Sequence, residues 1–218
     1  GQVDAGLGKA TAAGTRGLMQ PTVTVERDRE RLPVDGVEVE FMLTQGAEAP
    51  SEMIFFFEEV GGTKVNALCM AEDTTATLHN LYTLRGAQVR DALAWSKYIS
   101  TAVERFGKRT EVLFTSHHWP RRGNAQVVSY LKKQRDLYKY SHDQTLRLAN
   151  QGYTMVEIAE MVALPPSLAN EFYNRSYYGT VSHNVKAVYQ RYIGWYDGNP
   201  ANLNPLPPVE ASRRYVDY

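Results

Sequence analysis

The hydrophobic pattern of this chain changes period near residue 120, and that change constrains the fold more than any other feature. Upstream, PTVTVER (21–27) and GVEVEFMLT (36–44) alternate apolar and polar residues with period two, the spacing of half-buried strands. EMIFFFEEV (52–60) and VNALCMA (65–71) are further strand-like runs, and Gly61 and Gly62 between them mark a hairpin turn. The stretch from Asp28 to Asp35, charged and carrying Pro33, reads as an exposed turn. Val89, Ala92, Leu93, Trp95, Ile99, Val103 and Phe106 then recur at helical spacing, with Gly107 as the stop. EVLFTS (111–116) is a short buried strand ending at His117, His118, Trp119 and Pro120. Strand, helix and strand in succession begin an α/β layer arrangement.

Downstream the pattern is helical only. One segment runs from Asn124 to Asn150, with Gly152 as its stop. Thr154 and Glu157 form a capping box that opens a short helix ending before Pro165. Pro166 sits in the first turn of PSLANEFYNRSY, where proline is tolerated. Ser182 is the expected cap of a last long helix, 183–196, stopped by Asp197-Gly198-Asn199-Pro200. NPLPPVE reads as extended loop and ASRRYVDY as a helix cut short. Residues 1–20, rich in Gly, Ala and Thr, read as a loop that lines an active site. The expected division is therefore 1–120, mixed, and 121–218, helical and rich in Tyr. The Tyr-rich helices have more aromatic surface than they can bury alone, which favours packing on a partner chain.

Composition excludes several classes. Lys plus Arg and Asp plus Glu are both 24, so the formal charge is zero. A nucleic-acid binder shows an excess of base, and a polybasic membrane surface is excluded on the same ground. No stretch approaches the ~18 apolar residues of a membrane span. Cys69 is the sole cysteine, so no internal disulfide forms. The chain opens on Gly1 with no signal-peptide pattern, which suggests a start inside a longer protein or after processing.

The motifs H-x-H, HExxH, CxxC and G-x-S-x-G are absent, so spacing alone supports neither a self-contained zinc site nor a serine hydrolase. Strand ends are where open α/β sheets place ligand sites. His117 and His118 follow one strand, Glu72 ends another, and Glu48 precedes a third. Zinc accepts imidazole and carboxylate alike. Taken singly, each is more often a solvated loop residue, and only convergence in space makes them a half-site. TLHNLYTLRGAQVRD (77–91) offers a second candidate, with Asn80 and Arg85 able to bind sulfate or phosphate. The bland alternative pairs Arg85 and Arg90 with Asp91 or Glu residues on the surface. The Tyr residues, Tyr178 and Tyr189 among them, are most simply helix-packing surface, with one or two free to line a pocket. His183 lies at a helix start, where an imidazole can face an anion.

The blocks GAEAPSEM, ALCMAED, TLHNLYTLRGAQVRD, TSHHWPRRGN and YYGTVSHN…GWYDGNPANL resemble the zinc-dependent, dodecyl-sulfate-degrading alkylsulfatases of the metallo-β-lactamase superfamily. The resemblance runs from about Gly14 to Tyr215. It implies an α/β fold: the second half of a metallo-β-lactamase-type αββα sandwich (1–120) followed by an all-α dimerisation domain (121–218), incomplete at its C-terminal end. It implies hydrolysis of alkyl sulfate esters by a zinc-activated water at a binuclear site, with two zinc ions per complete site.

Carried over residue by residue, Glu48 and Glu72 resemble family zinc-site carboxylates. His117 matches the metal-binding His, with His118 left open. Asn80 and Arg85 fall in the sulfate-binding segment, His183 would donate a proton to the leaving group, and Tyr178 or Tyr189 would contact the sulfate. The family's H-x-H-x-D-H motif is not in this sequence, so upstream residues or a separate chain would supply those ligands. Asp73 stands where the family has Asn, and Ala76 where it often has His. The implied partners are the alkyl sulfate and a second copy of the chain. The family includes exported members, so a periplasmic or secreted location is weakly favoured. The competing readings are a non-catalytic structural or dimerisation module and another zinc-dependent ester hydrolase of the same fold.

Overall fold

The computed structural model describes residues 14, 15 and 17–218. The expected active-site-lining loop, 1–20, lies largely outside the described residues. Six strands form one sheet in sequence order: β1 Arg31–Val34, β2 Val37–Leu43, β3 Met53–Phe57, β4 Ala67–Cys69, β5 Val112–Phe114 and β6 Arg121–Arg122. Neighbours are antiparallel except β4 and β5, which pair in parallel across the helix α1, Ala92–Phe106. A parallel pair needs such a crossover because a tight turn cannot reverse the chain twice.

The first strand is displaced from its expected place. Residues 21–27 form no strand, and the stretch read as an exposed turn contains β1 instead. The reason is the Asp35-Gly36 pair, with φ of 49° and 79°. Two successive left-handed residues make the tight hairpin turn that matches strand twist, and Val34 pairs with Val37 across it. Pro33 is tolerated because β1 is an edge strand.

Helix α1 has the expected apolar face, with Trp95, Ile99, Ala102 and Phe106 buried. Asp91 caps it by accepting from the Ala94 N–H at 2.9 Å, and Phe106 stacks on Phe56 of the sheet at 4.8 Å. On its other side Trp95 stacks on Tyr138 of α2, Asn124–Ala149, at 4.5 Å. The capping box at Thr154 and Glu157 opens α3, Met155–Met161, as expected. PSLANEFYNRSY is helical only over α4, Pro166–Ala169, followed by one 3-10 turn at Phe172–Asn174.

Helix α5 runs Val181–Tyr192 and is capped by Thr180, not Ser182: the Thr180 hydroxyl accepts from the His183 N–H at 3.0 Å. Its end comes earlier than expected because Gly194, at φ 108°, turns the chain. Two short helices follow, α6 Pro200–Leu203 and α7 Pro208–Val216, with no buried residue in either.

The core does not divide where the element types do. One apolar cluster joins Phe56, Leu68 and Leu113 of the sheet to Trp95 and Ile99 of α1, Leu131 and Tyr138 of α2, and Val188 of α5. A second cluster, under α3 and α5, holds Ile158, Val185 and Tyr189. No helix among the described residues is long and apolar enough to cross a membrane.

Asp28 ties the N-terminal edge to α1. Its carboxylate accepts from Arg105 Nη1 at 3.0 Å and from the Leu43 N–H at 3.3 Å. The Arg105 hydrogen bond holds its pKa below the ordinary value. A lowered carboxylate pKa stabilises the fold fully above the unfolded value of about 4, and that gain is lost as pH falls through the folded value. Asp28→Asn is therefore expected to lower the urea midpoint at pH 7 by an amount worth under about 1 kcal/mol, since the pair is partly exposed. The two proteins converge as the pH is taken toward 2.

Candidate metal centre

Parallel pairing of β4 and β5 brings their C-terminal ends side by side. The ladder continues past both strands, with the Met70 N–H on Phe114 O at 3.0 Å and the Ser116 N–H on Ala71 O at 2.8 Å. Glu72 and His117 are the next residues on each side. Ala71, at φ 45°, and His118, at φ 75°, are left-handed non-glycine residues beside them. Such backbone strain concentrates at functional sites. His117 Nε2 lies 3.3 Å from Glu72 Oε1.

Two loops complete the cluster. The loop between β2 and β3 carries Glu48, and the segment between β4 and α1 carries His79. One ligand atom each from Glu48, Glu72 and His79 lie within 4.8 Å of one another. His79 is buried, and its Nδ1 is 2.9 Å from Asn80 O. A carbonyl oxygen only accepts, so Nδ1 carries the hydrogen and the neutral ring leaves an Nε2 lone pair. That Nε2 faces Glu72 Oε2 at 3.7 Å, beyond hydrogen-bond length. A lone pair facing a carboxylate calls for a cation or a proton between them.

Two further acidic side chains lie close by. Asp73 is buried, and neither carboxylate oxygen has a hydrogen-bond partner. Burial pushes its pKa well up, Glu52 and Glu48 add to the shift, and the Thr44 hydroxyl opposes it. Glu52 is raised by burial as well, although its carboxylate accepts from the Glu72 N–H at 3.3 Å. Glu72 is shifted down, first by His79 and also by His117. Four acidic side chains gather here against one paired guanidinium. Arg90 donates to the Glu48 carboxylate, to Glu48 O at 2.6 Å and to Asn80 Oδ1 at 2.5 Å. Carboxylate and imidazole donors with orphaned acidic oxygens behind them fit a divalent ion such as zinc. Glu48, Glu72 and His79 offer three donor atoms close enough together to share one ion.

A cavity of about 400 Å³ opens beside the cluster, lined by Thr75, Thr77, His79, His117, His118, Tyr177 and Tyr178. Tyr178 meets His79 edge-on at 4.9 Å. His118 turns its Nδ1 to the Ala76 N–H at 3.4 Å, so His117 is the member of the pair at Glu72.

The structure thus brings Glu48 and Glu72 together and sets His117 against Glu72, with Asn80 and Tyr178 adjacent. Three expected site residues are not among those that line the cavity. Arg85 is exposed, without a side-chain hydrogen bond among the described residues, and Arg90 is the guanidinium at the cluster. His183 is exposed on the first turn of α5. Tyr189 is buried in the second apolar cluster. Sequence reasoning did not place His79 in this cluster. Its signal was present in the sequence, as an imidazole seven residues after Glu72 in a segment already singled out for anion binding.

Arg90→Ala is expected to leave the Glu48 carboxylate among like charges with its partner removed. Breaking a largely buried pair in this way costs about 3 kcal/mol, read as a lowered urea midpoint of the metal-free chain.

A family model described as alkyl sulfatase dimerisation matches residues 154–218. An alkyl/aryl-sulfatase of Saccharomyces cerevisiae is 53% identical over 100% of this chain and 33% of its own length. A linear primary-alkylsulfatase of Pseudomonas sp. is 51% identical over 100% of this chain and 32% of its own. The solved structure of a stereoselective inverting sec-alkylsulfatase from Pseudomonas sp. superposes with a TM-score of 0.91 at 49% identity, covering 99% of this chain and 34% of that one. The chain spans about a third of the length of the relatives it matches. Over its whole length it belongs to the alkylsulfatases, as a section of that longer fold.

Proposed function

We propose that this chain is part of an enzyme that hydrolyses an alkyl sulfate ester, such as dodecyl sulfate, to alcohol and sulfate. It would contribute Glu48, Glu72, His79 and His117 to the zinc site. The observation that carries this reading is the meeting of Glu48, Glu72 and His79 at strand ends, in a chain about half identical to alkylsulfatases. The expected second zinc needs donors beyond these four.

Zinc, when bound, supplies Lewis acidity at the ester and lowers the pKa of water toward about 7. The remaining tasks fall to the chain. A sulfate ester presents anionic oxygens, and the hydroxyl-bearing residues Thr77, Tyr177 and Tyr178 line the cavity to donate to them, the Thr75 hydroxyl being committed to Thr77 O. Asn80 has its Oδ1 committed to Arg90, which leaves its Nδ2 as a further donor. His118 accepts the Ala76 N–H at Nδ1, so a neutral ring carries its hydrogen on Nε2. Burial lowers the His118 pKa and favours that neutral form. A neutral donor stabilises charge growing on the leaving oxygen without repelling a nearby cation.

The test is a chimera in which this sequence replaces the matching third of the Pseudomonas linear primary-alkylsulfatase. Sulfate release from dodecyl sulfate, with no matching phosphate release from dodecyl phosphate, is expected. Glu72→Gln and His79→Ala should each lower kcat/KM at least a hundredfold and lower the zinc content by elemental analysis. A folded, zinc-loaded chimera without sulfatase activity would overturn the assignment.

We further propose a homodimer through the helical region. The support is the family match over 154–218 and the exposed apolar residues Ile193, Trp195, Leu203, Leu206 and Val209. Light scattering should give about twice the chain mass of 24.6 kDa. A purely monomeric mass at micromolar concentration contradicts it.

A further inference from the structure

The segment 78–81, which carries His79 and Asn80, belongs to no helix or strand, so its shape must come from elsewhere. It comes from residues about a hundred positions later. The Leu78 N–H donates to Arg175 O at 3.0 Å, and Leu78 O accepts from the Gly179 N–H at 2.9 Å. Asn184, buried on the first turn of α5, then grips both sides of the next two residues. Its Oδ1 accepts from the Leu81 N–H at 2.9 Å, and its Nδ2 donates to His79 O at 2.9 Å. Gly179 closes the contact. A Cβ there would lie 2.7 Å from Asn80 N and 2.8 Å from the His79 carbonyl carbon, so only glycine lets the two backbones approach this closely. From the opposite side Arg90 N–H donates to Leu81 O at 2.9 Å and Arg90 Nη1 to Asn80 O at 3.1 Å.

We propose that Asn184 and Gly179 are positioning residues for His79. They set the backbone so that Nδ1 meets Asn80 O and Nε2 is left toward Glu48 and Glu72. Both belong to the segment matched by the dimerisation model, so that segment helps build the metal centre as well as any interface. The inference rests on the metal reading above only where it concerns zinc. The orientation and tautomer of His79 stand apart from it. An outer residue that orients a ligand typically changes metal affinity by about 10- to 100-fold.

The experiment uses the 218-residue chain, uniformly labelled with nitrogen-15, as wild type, Asn184→Ala and His79→Ala. Two-bond proton–nitrogen spectra of the zinc-free chain report which His79 nitrogen carries hydrogen. Titration with zinc chloride reports affinity, and a thermal melt checks that each variant folds. The wild type should show a single Nδ1–H tautomer. Asn184→Ala should show a tautomer mixture and bind zinc at least tenfold more weakly, in the direction of His79→Ala. A folded Asn184→Ala with the wild-type tautomer and wild-type zinc affinity overturns the proposal. If Asn184→Ala does not fold, Asn184→Asp is read in the same two ways, since it keeps the acceptor for Leu81 and loses the donor to His79 O. A wild type that takes up no zinc defeats the metal reading alone, and the tautomer then decides whether Asn184 positions His79.

Discussion

The parallel pairing of β4 with β5 is the contact on which the site depends. In an antiparallel pair, Glu72 and His117 would leave the sheet at opposite ends. The crossover through α1 reverses the chain a second time and sends both strand ends the same way. Burial makes the crossover firm. Trp95 and Phe106 anchor α1 between the sheet and α2, with Trp95 stacked on Tyr138 and Phe106 on Phe56. Trp95 also donates its indole N–H to Asp73 O at 2.6 Å. The same residue that packs the core therefore fixes the backbone one position beyond Glu72. Core packing and ligand placement are one arrangement here.

The electrostatics of the strand ends go against folding. Glu48, Glu52, Glu72 and Asp73 are brought together with Arg90 as the single close guanidinium, and burial raises Asp73 and Glu52. Gathering like charges away from water costs free energy that a surface arrangement would avoid. A divalent cation reverses the sign of that cost, because each carboxylate that repels its neighbour then faces a positive charge. The lone pair of His79 Nε2, held toward Glu72 without a hydrogen bond, is relieved in the same way.

Much of this was legible in the sequence. A period-two run located β2, apolar runs located β3 and β4, helical spacing located α1 and α2, and the strand ends pointed to Glu48, Glu72 and His117 as neighbours. Local chemistry that competes with periodicity was harder to read. PTVTVER alternates well yet forms no strand, because the Asp35-Gly36 turn pairs 31–34 with 37–40 and leaves 21–27 with no partner strand. Thr180 outcompeted Ser182 as a cap because its hydroxyl reaches the third residue of the helix, as the geometry of a helix start requires. His79 was hidden for a different reason. Its place at the cluster depends on contacts with Arg175, Gly179 and Asn184, and sequence spacing carries no information about partners a hundred residues away.

Those contacts also decide how the two regions of the chain should be viewed. The expected boundary at residue 120 leaves helix α1 before it and strand β6 after it, and the main apolar cluster crosses it through Tyr138 and Val188. Polar contacts cross it too, where Gln134 of α2 donates to Tyr173 O at 2.7 Å and its Oε1 accepts from the Thr75 N–H at 3.3 Å. A helical region serving only to join two copies would need none of this. It could dock on the outside of a finished sheet layer. Here α2 holds Thr75 of the cavity wall and α5 holds the backbone of His79, so the strand-end cluster is unfinished without these helices. A disturbance of the helical packing, from a partner chain or a mutation, has a short covalent and hydrogen-bonded route to the ligand set.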